Sequence, residues 1–171
     1  MGKLAVLIIV LVITGTSLAD DANADSLVRV AVGEFMDALQ TGDGETAAAM
    51  FSSHAVDQVE VMLNTIKQSL DRDPDGTMRR LLNAGYTIDE DGAEDWEPVI
   101  YLAQTLALPM ISARYIPYQL EIDTVVIDDE QATVQMIFRT SSGAEIPQQA
   151  LMTLEDDQWK VTSFMGITAF P

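Results

Sequence analysis

Cysteine is absent from this chain of 171 residues, which excludes disulfides and a lipid anchor carried on a cysteine. Histidine is almost absent, with His54 alone. The nine methionines therefore form no cluster with His or Cys that would make a soft-metal site. Met36, Met50, Met62, Met110, Met136 and Met152 fall at apolar positions and read as core filler. Positive charge is scarce: 9 Lys and Arg stand against 27 Asp and Glu, a formal charge of −18. So acidic a surface repels nucleic acid and anionic lipid, and favours cations, basic partners or plain solubility. Also missing are a phosphate-binding loop, a dinucleotide fingerprint, a zinc motif and a nucleophile elbow. There is no internal repeat and no low-complexity tract. Beyond residue 13 no apolar run is long enough to cross a bilayer of roughly 30 Å.

What is present begins with an export signal. Lys3 precedes ten apolar residues, Leu4 to Ile13, and then the small and polar Thr14-Gly15-Thr16-Ser17-Leu18-Ala19. A basic start, a short apolar core and a small-residue cleavage site predict a secretory signal peptide over residues 1–19. The destination is then periplasmic or extracellular. Cleavage removes one lysine and no acid, so the mature charge becomes 8 − 27 = −19. About 150 residues suit a single domain with a core that needs no staples. Asp20 to Asp25 reads as a short disordered lead.

From Ser26 onward the pattern is helical. Leu27, Val28, Ala31, Val32, Phe35, Ala38 and Leu39 form an apolar stripe at helical spacing to Gln40, closed by Thr41-Gly42. Asp43 caps a short alanine-rich helix to Phe51. His54 to Leu70 predicts an amphipathic helix with Val59, Leu63, Ile66 and Leu70 on one side. Further helices are expected over 77–84 and 96–106. Tyr86 to Ile88 and Met110 to Tyr115 read as short strands.

Tyr118 to Phe164 predicts a four-stranded antiparallel meander. Three turns divide it: Asp128-Asp129-Glu130, Ser141-Ser142-Gly143 and Glu155-Asp156-Asp157. Ala132, Val134, Met136 and Phe138 share one face, opposite Thr133, Gln135 and Arg139. The run Val125-Val126-Ile127 breaks the alternation and calls for a bulge near Thr124, or for burial of both faces. A sheet with one apolar face needs a cover, and only helices precede it. The expected fold class is therefore α+β, with N-terminal helices on an antiparallel sheet.

Two stretches carry a family resemblance. Ala38-Leu39-Gln40-Thr41-Gly42-Asp43, followed by the alanine-rich helix, resembles the opening of nuclear transport factor 2-like domains. Asp156-Asp157-Gln158-Trp159-Lys160-Val161 is similar to the closing strand of many secreted members. The likeness covers Leu27 to Ser53 and Tyr118 to Phe164, whereas Asp71 to Ile116 departs from the family's short form. It implies a strongly bent sheet wrapped on helices as a cone, whose open end is often a pocket. On that expectation Tyr101, Tyr115, Tyr118, Phe138 and Trp159 line a ligand pocket, and a homodimer through the sheet is possible.

Other residues offer chemistry. Asp71, Asp73 and Asp75 before Gly76 match the first half of a calcium loop, but Arg79 and Leu82 stand where further ligands belong. The competing reading has Asp73 capping a helix that starts at Pro74. His54 could transfer protons, with nothing in the sequence to orient it. An isomerase-like site could draw on Asp123 or Glu121 with a tyrosine. Arg114 and Arg139 could hold an anion, although solvated or paired arginine is the plainer reading. The expected function is a non-catalytic exported binding domain for a small apolar molecule in the cone, or for a protein on the sheet. The alternatives are a cofactor-free isomerase, dehydratase or hydrolase, and a calcium-dependent structural module.

Overall fold

A computed structural model describes residues 18–88 and 92–164, with side chains from Ala22. The expected signal sequence falls almost wholly outside the described residues. Helices α1 (Leu18–Thr41), α2 (Gly44–Ala49), α3 (Ser53–Arg72), α4 (Pro74–Ala84), α5 (Pro98–Leu106) and α6 (Pro109–Tyr115) precede strands β1 (Tyr118–Asp128), β2 (Gln131–Thr140), β3 (Glu145–Glu155) and β4 (Gln158–Phe164). A single 3-10 turn, Ala93–Asp95, lies before α5. No described helix is long and apolar enough to cross a membrane.

The strands form one antiparallel sheet in the order β1-β2-β3-β4, as the spacing of the turns predicts. Aspartates take the left-handed conformations that the tight turns require. Asp129 has φ 53°, and Asp156 and Asp157 have φ 49° and 61°. A short polar side chain tolerates that region because it can bond its own backbone. The break expected near Thr124 is a bulge: pairing slips between Ile122 and Thr124, leaving Asp123 unmatched. After it the alternation resumes, with Val126 exposed between half-buried Val125 and Ile127. A second slip, between Leu151 and Met152, leaves Thr162 of β4 unmatched.

These bulges bend the sheet around α1. That helix packs against β1 and β4, the two outer strands. Four flat strands at roughly 4.8 Å spacing put their edges about 14 Å apart. One helix of about 10 Å diameter reaches both only if the sheet curves about it. The chain fastens the arrangement at each edge. Arg29 Nη1 donates to the Ile122 carbonyl beside the β1 bulge, at 3.0 Å, while its Nε donates to Asp25 at 2.7 Å. Gln40 Nε2 donates to the carbonyls of Tyr115 and Tyr118. On the other side Phe51 pairs in parallel with Val161, closing the free edge of β4 at that point. Ser52 then caps α3, its Oγ accepting from Ala55 N, and Ser53 N donates to Glu155.

Three expectations change. Residues 20–25, read as a disordered lead, are the first turns of α1. Alanines and the Asp25–Arg29 pair let the helix grow backward from its anchored body. Met110 to Tyr115 is helical rather than a strand, started by Pro109, whose missing N–H costs nothing at a first helical position. Its Ile111 and Tyr115, four apart, turn inward, and so short an apolar run does not separate helix from strand by pattern alone. Tyr86 to Ile88 has no strand partner among the described residues.

Candidate functional site

The space inside the curved sheet is filled. Phe35 of α1 meets Phe51 edge to face at 5.1 Å and Phe164 at 5.0 Å. Phe138, Met136, Met152, Met36 and Tyr115 close around them, each no more than 2% exposed. The buried polar side chains among the described residues are Ser52, Thr77, Thr105 and Ser163. No carboxylate is buried among the described residues, so none faces an enclosed cavity there.

The five aromatics expected to line one pocket are divided. Tyr115, Tyr118 and Phe138 come together through Phe164, with Tyr118 stacked on Phe138 at 5.3 Å, and they serve as core. Tyr101 stands in a different layer, stacked with Tyr86 and Trp96 against α5. Trp159 lines a separate groove with Leu27 and Val30 of α1. Separation along the chain could not reveal this, because the bend of the sheet decides which ring meets which.

Two of these rings make polar demands of opposite kinds. The Tyr115 hydroxyl is buried and finds no hydrogen-bond partner among the described residues. Burial pushes its pKa up, against a smaller opposing pull from Arg114. A buried unsatisfied hydroxyl costs about 1–3 kcal/mol. Tyr115→Phe is therefore expected to raise stability by about 1 kcal/mol in urea titrations, and a loss of stability would refute that account. The Tyr86 hydroxyl, by contrast, lies 3.0 Å from Thr105 Oγ1, which itself donates to the Tyr101 carbonyl. Tyr86 must then be the donor. Burial, the largest cause, pushes its pKa up to about 12. A raised tyrosine pKa means stability that is intact below the unfolded value of about 10 and is lost as pH climbs toward 12. Denaturation at pH 7, 10 and 11 should show a steeper alkaline loss in the wild type than in Tyr86→Phe; equal slopes would discount this tyrosine.

The remaining candidates sit outside. His54 is exposed in the first turn of α3, its Nε2 2.9 Å from Gln58 Nε2. Glu121 and Glu145 both pair with Arg139 on the outer sheet face. Asp123 is exposed at the β1 bulge, and Arg114 is exposed in the last turn of α6. Asp73 accepts from Gly76 N at 3.0 Å and caps α4, with Pro74 as its first residue, and Arg80 lies 3.6 Å away. Asp71 and Asp75 belong to the helices on either side. No group of three His, Cys, Asp or Glu among the described residues is placed to hold a metal ion. The outer sheet face exposes Val126 and Leu151 among Thr133, Gln135 and Gln149, too polar for a broad apolar patch.

What sequence reasoning missed is a cleft of about 610 Å³ between α2 and α5. Its walls are Val99, Ile100, Ala103 and Ala107 on one side and Ala48 and Ala49 on the other. Val99 and Ile100 are each 44% exposed, a large exposure for adjacent β-branched residues. Polar groups converge at its rim: Asp43, Glu45, Thr87 and Gln104. Gln104 Oε1 accepts from Thr87 N at 3.1 Å, which turns its amide nitrogen elsewhere. Small residues make the two helices approach closely, since a Cβ on Gly44 would sit on the Ala103 carbonyl oxygen. The available signal was α5 itself. It is apolar on both faces apart from Gln104 and Thr105, with Tyr101, Leu102 and Leu106 buried on one face and Val99, Ile100 and Ala103 left over on the other.

No family model matches the chain, and no curated protein does. Among solved structures it resembles a crystal structure from Campylobacter jejuni provisionally named an NTF2-like transpeptidase. The identity is 13% over 60% of this chain and 94% of that one, with a TM-score of 0.33. The described residues themselves define the architecture: an α+β domain of six α-helices and one curved four-stranded antiparallel sheet.

Proposed function

We propose that this chain is an exported, non-catalytic binding domain of nuclear transport factor 2-like kind, which holds a small apolar molecule in the α2–α5 cleft. The single observation behind this reading is the contrast between inside and outside. The interior under the sheet is packed with Phe35, Phe138 and Phe164, while apolar walls stand open to solvent at Val99 and Ile100. Exposed apolar surface lining a concavity of several hundred Å³, with a few polar groups at its edge, is the usual form of a small-molecule site. The lack of a buried carboxylate among the described residues weighs against proton-transfer chemistry inside the cone, since such work relies on an acid shifted by burial. Export rests on the basic and apolar N-terminal segment.

The neutral fluorophore N-phenyl-1-naphthylamine tests it, because an anionic dye would be repelled by the charge of −18. The full chain should bind it saturably. Val99→Gln with Ile100→Gln removes apolar wall at exposed positions without touching the core. That pair should weaken binding about ten-fold, the order expected for losing part of two buried branched side chains. Absence of saturable binding, or equal affinity in the double variant, would overturn the reading.

A further inference from the structure

The cleft carries its charge unevenly. Of the residues lining it, only Asp43 and Glu45 are ionisable, and both are acidic. Asp43 is fixed in place as the cap of α2: Oδ1 accepts from Thr46 N at 3.0 Å and Oδ2 accepts from Thr46 Oγ1 at 2.8 Å. Those bonds hold its carboxyl below the usual carboxylate range, so it remains charged in mildly acid solution. Glu45, the second residue of α2, is exposed and has no salt-bridge partner among the described residues. Two carboxylates thus stand at one end of an apolar trough, and no lysine or arginine lines it.

An anionic head would meet two carboxylates and no lysine or arginine to balance it. Of the four backbone amides in the first turn of α2, all but that of Glu45 are already bonded. Gly44 N bonds the Gly42 carbonyl, Ala47 N bonds the Asp43 carbonyl, and Thr46 N bonds the Asp43 side chain. A neutral amphiphile would gain only the apolar contact. A cation would gain that contact and the attraction of the two exposed carboxylates.

We infer that the α2–α5 cleft selects small cationic amphiphiles, with an ammonium group between Asp43 and Glu45 and an apolar body along Val99, Ile100 and Ala103. This rests on the binding reading above and adds the class of ligand to it. The whole protein is acidic, so general attraction of cations must be separated from selection by this rim.

The test is competitive displacement of N-phenyl-1-naphthylamine from the full chain by three eight-carbon probes, each below its micellar concentration. They are octyltrimethylammonium, neutral octyl glucoside and octanoate. Asp43→Asn with Glu45→Gln removes the rim charge, and asparagine caps a helix as well as aspartate does. Asp128→Asn with Glu130→Gln, in the β1–β2 turn away from the cleft, removes the same formal charge elsewhere. In the wild type the cation should displace the probe about ten-fold more strongly than the glucoside, with octanoate weakest. The rim variant should lose about ten-fold for the cation and stay within about two-fold for the glucoside, the sum of two exposed ion pairs of ordinary strength. The distal variant should change neither by more than about two-fold, and 0.5 M salt should narrow the difference between headgroups. Equal affinity for the three headgroups, or equal loss in the distal variant, would overturn the ligand class while leaving the cleft as a binding site. Saturable binding of no probe at all would overturn both.

Discussion

Phe35→Ala is expected to lower stability by about 3–5 kcal/mol, the cost of removing a fully buried ring and leaving its cavity. Phe35 is 1% exposed at the centre of the curve. It touches Phe51, which ends the α2 segment, and Phe164, which ends β4. Its loss therefore loosens the β4 margin of the sheet as well as the helix that carries it. Single domains of this size have about 5–15 kcal/mol in total, so the variant should melt well below the wild type or fail to fold at 37 °C. Val30→Ala, on the same helix at a site 52% exposed, is the comparison and should change stability by less than about 0.5 kcal/mol. Urea midpoints measure both. Similar midpoints for the two variants would mean that α1 is not the element the sheet is wrapped around.

The second large effect belongs to a glycine. Gly44→Ala should cost about 1–3 kcal/mol, the range for forcing extra volume into a closed contact. The added methyl would overlap the Ala103 carbonyl oxygen and stand 2.7 Å from Ala107 N and 2.9 Å from Ala107 Cβ. Backbone cannot swing aside as a side chain can, so α2 must separate from α5. The cleft should change shape with it, and the affinity for N-phenyl-1-naphthylamine should fall. Gly33→Ala on α1 provides the opposite sign. A Cβ there meets nothing within 4 Å, and alanine in a helix interior gains about 0.5–1 kcal/mol over glycine. If both substitutions move stability in the same direction, close approach of α2 and α5 is not what Gly44 provides.

Much of the scaffold was readable in advance because its signals are local. The β2 alternation, the bulge by Thr124 and the three turns each depend on neighbours within a few positions. Asp43 and Asp73 as helix caps are likewise short-range. Short apolar runs without a period misled: Met110 to Tyr115 suits either a strand or a helix until its neighbours choose. The candidate site was not legible. Its walls come from α2 and α5, about fifty residues apart, and the choice of Val99 and Ile100 as open surface follows from Tyr101 and Leu102 taking the core.

By itself the sequence determined the charge, the absence of thiol and paired-histidine chemistry, the meander and most helix limits. All of these are properties of composition or of contacts along the chain. Only the tertiary structure decided that the space beneath the sheet is filled by rings from three distant segments, and that an acid-rimmed trough opens between α2 and α5. Packing in three dimensions assigns each apolar side chain to an interior or to a surface, and hydrophobicity alone is the same in both places.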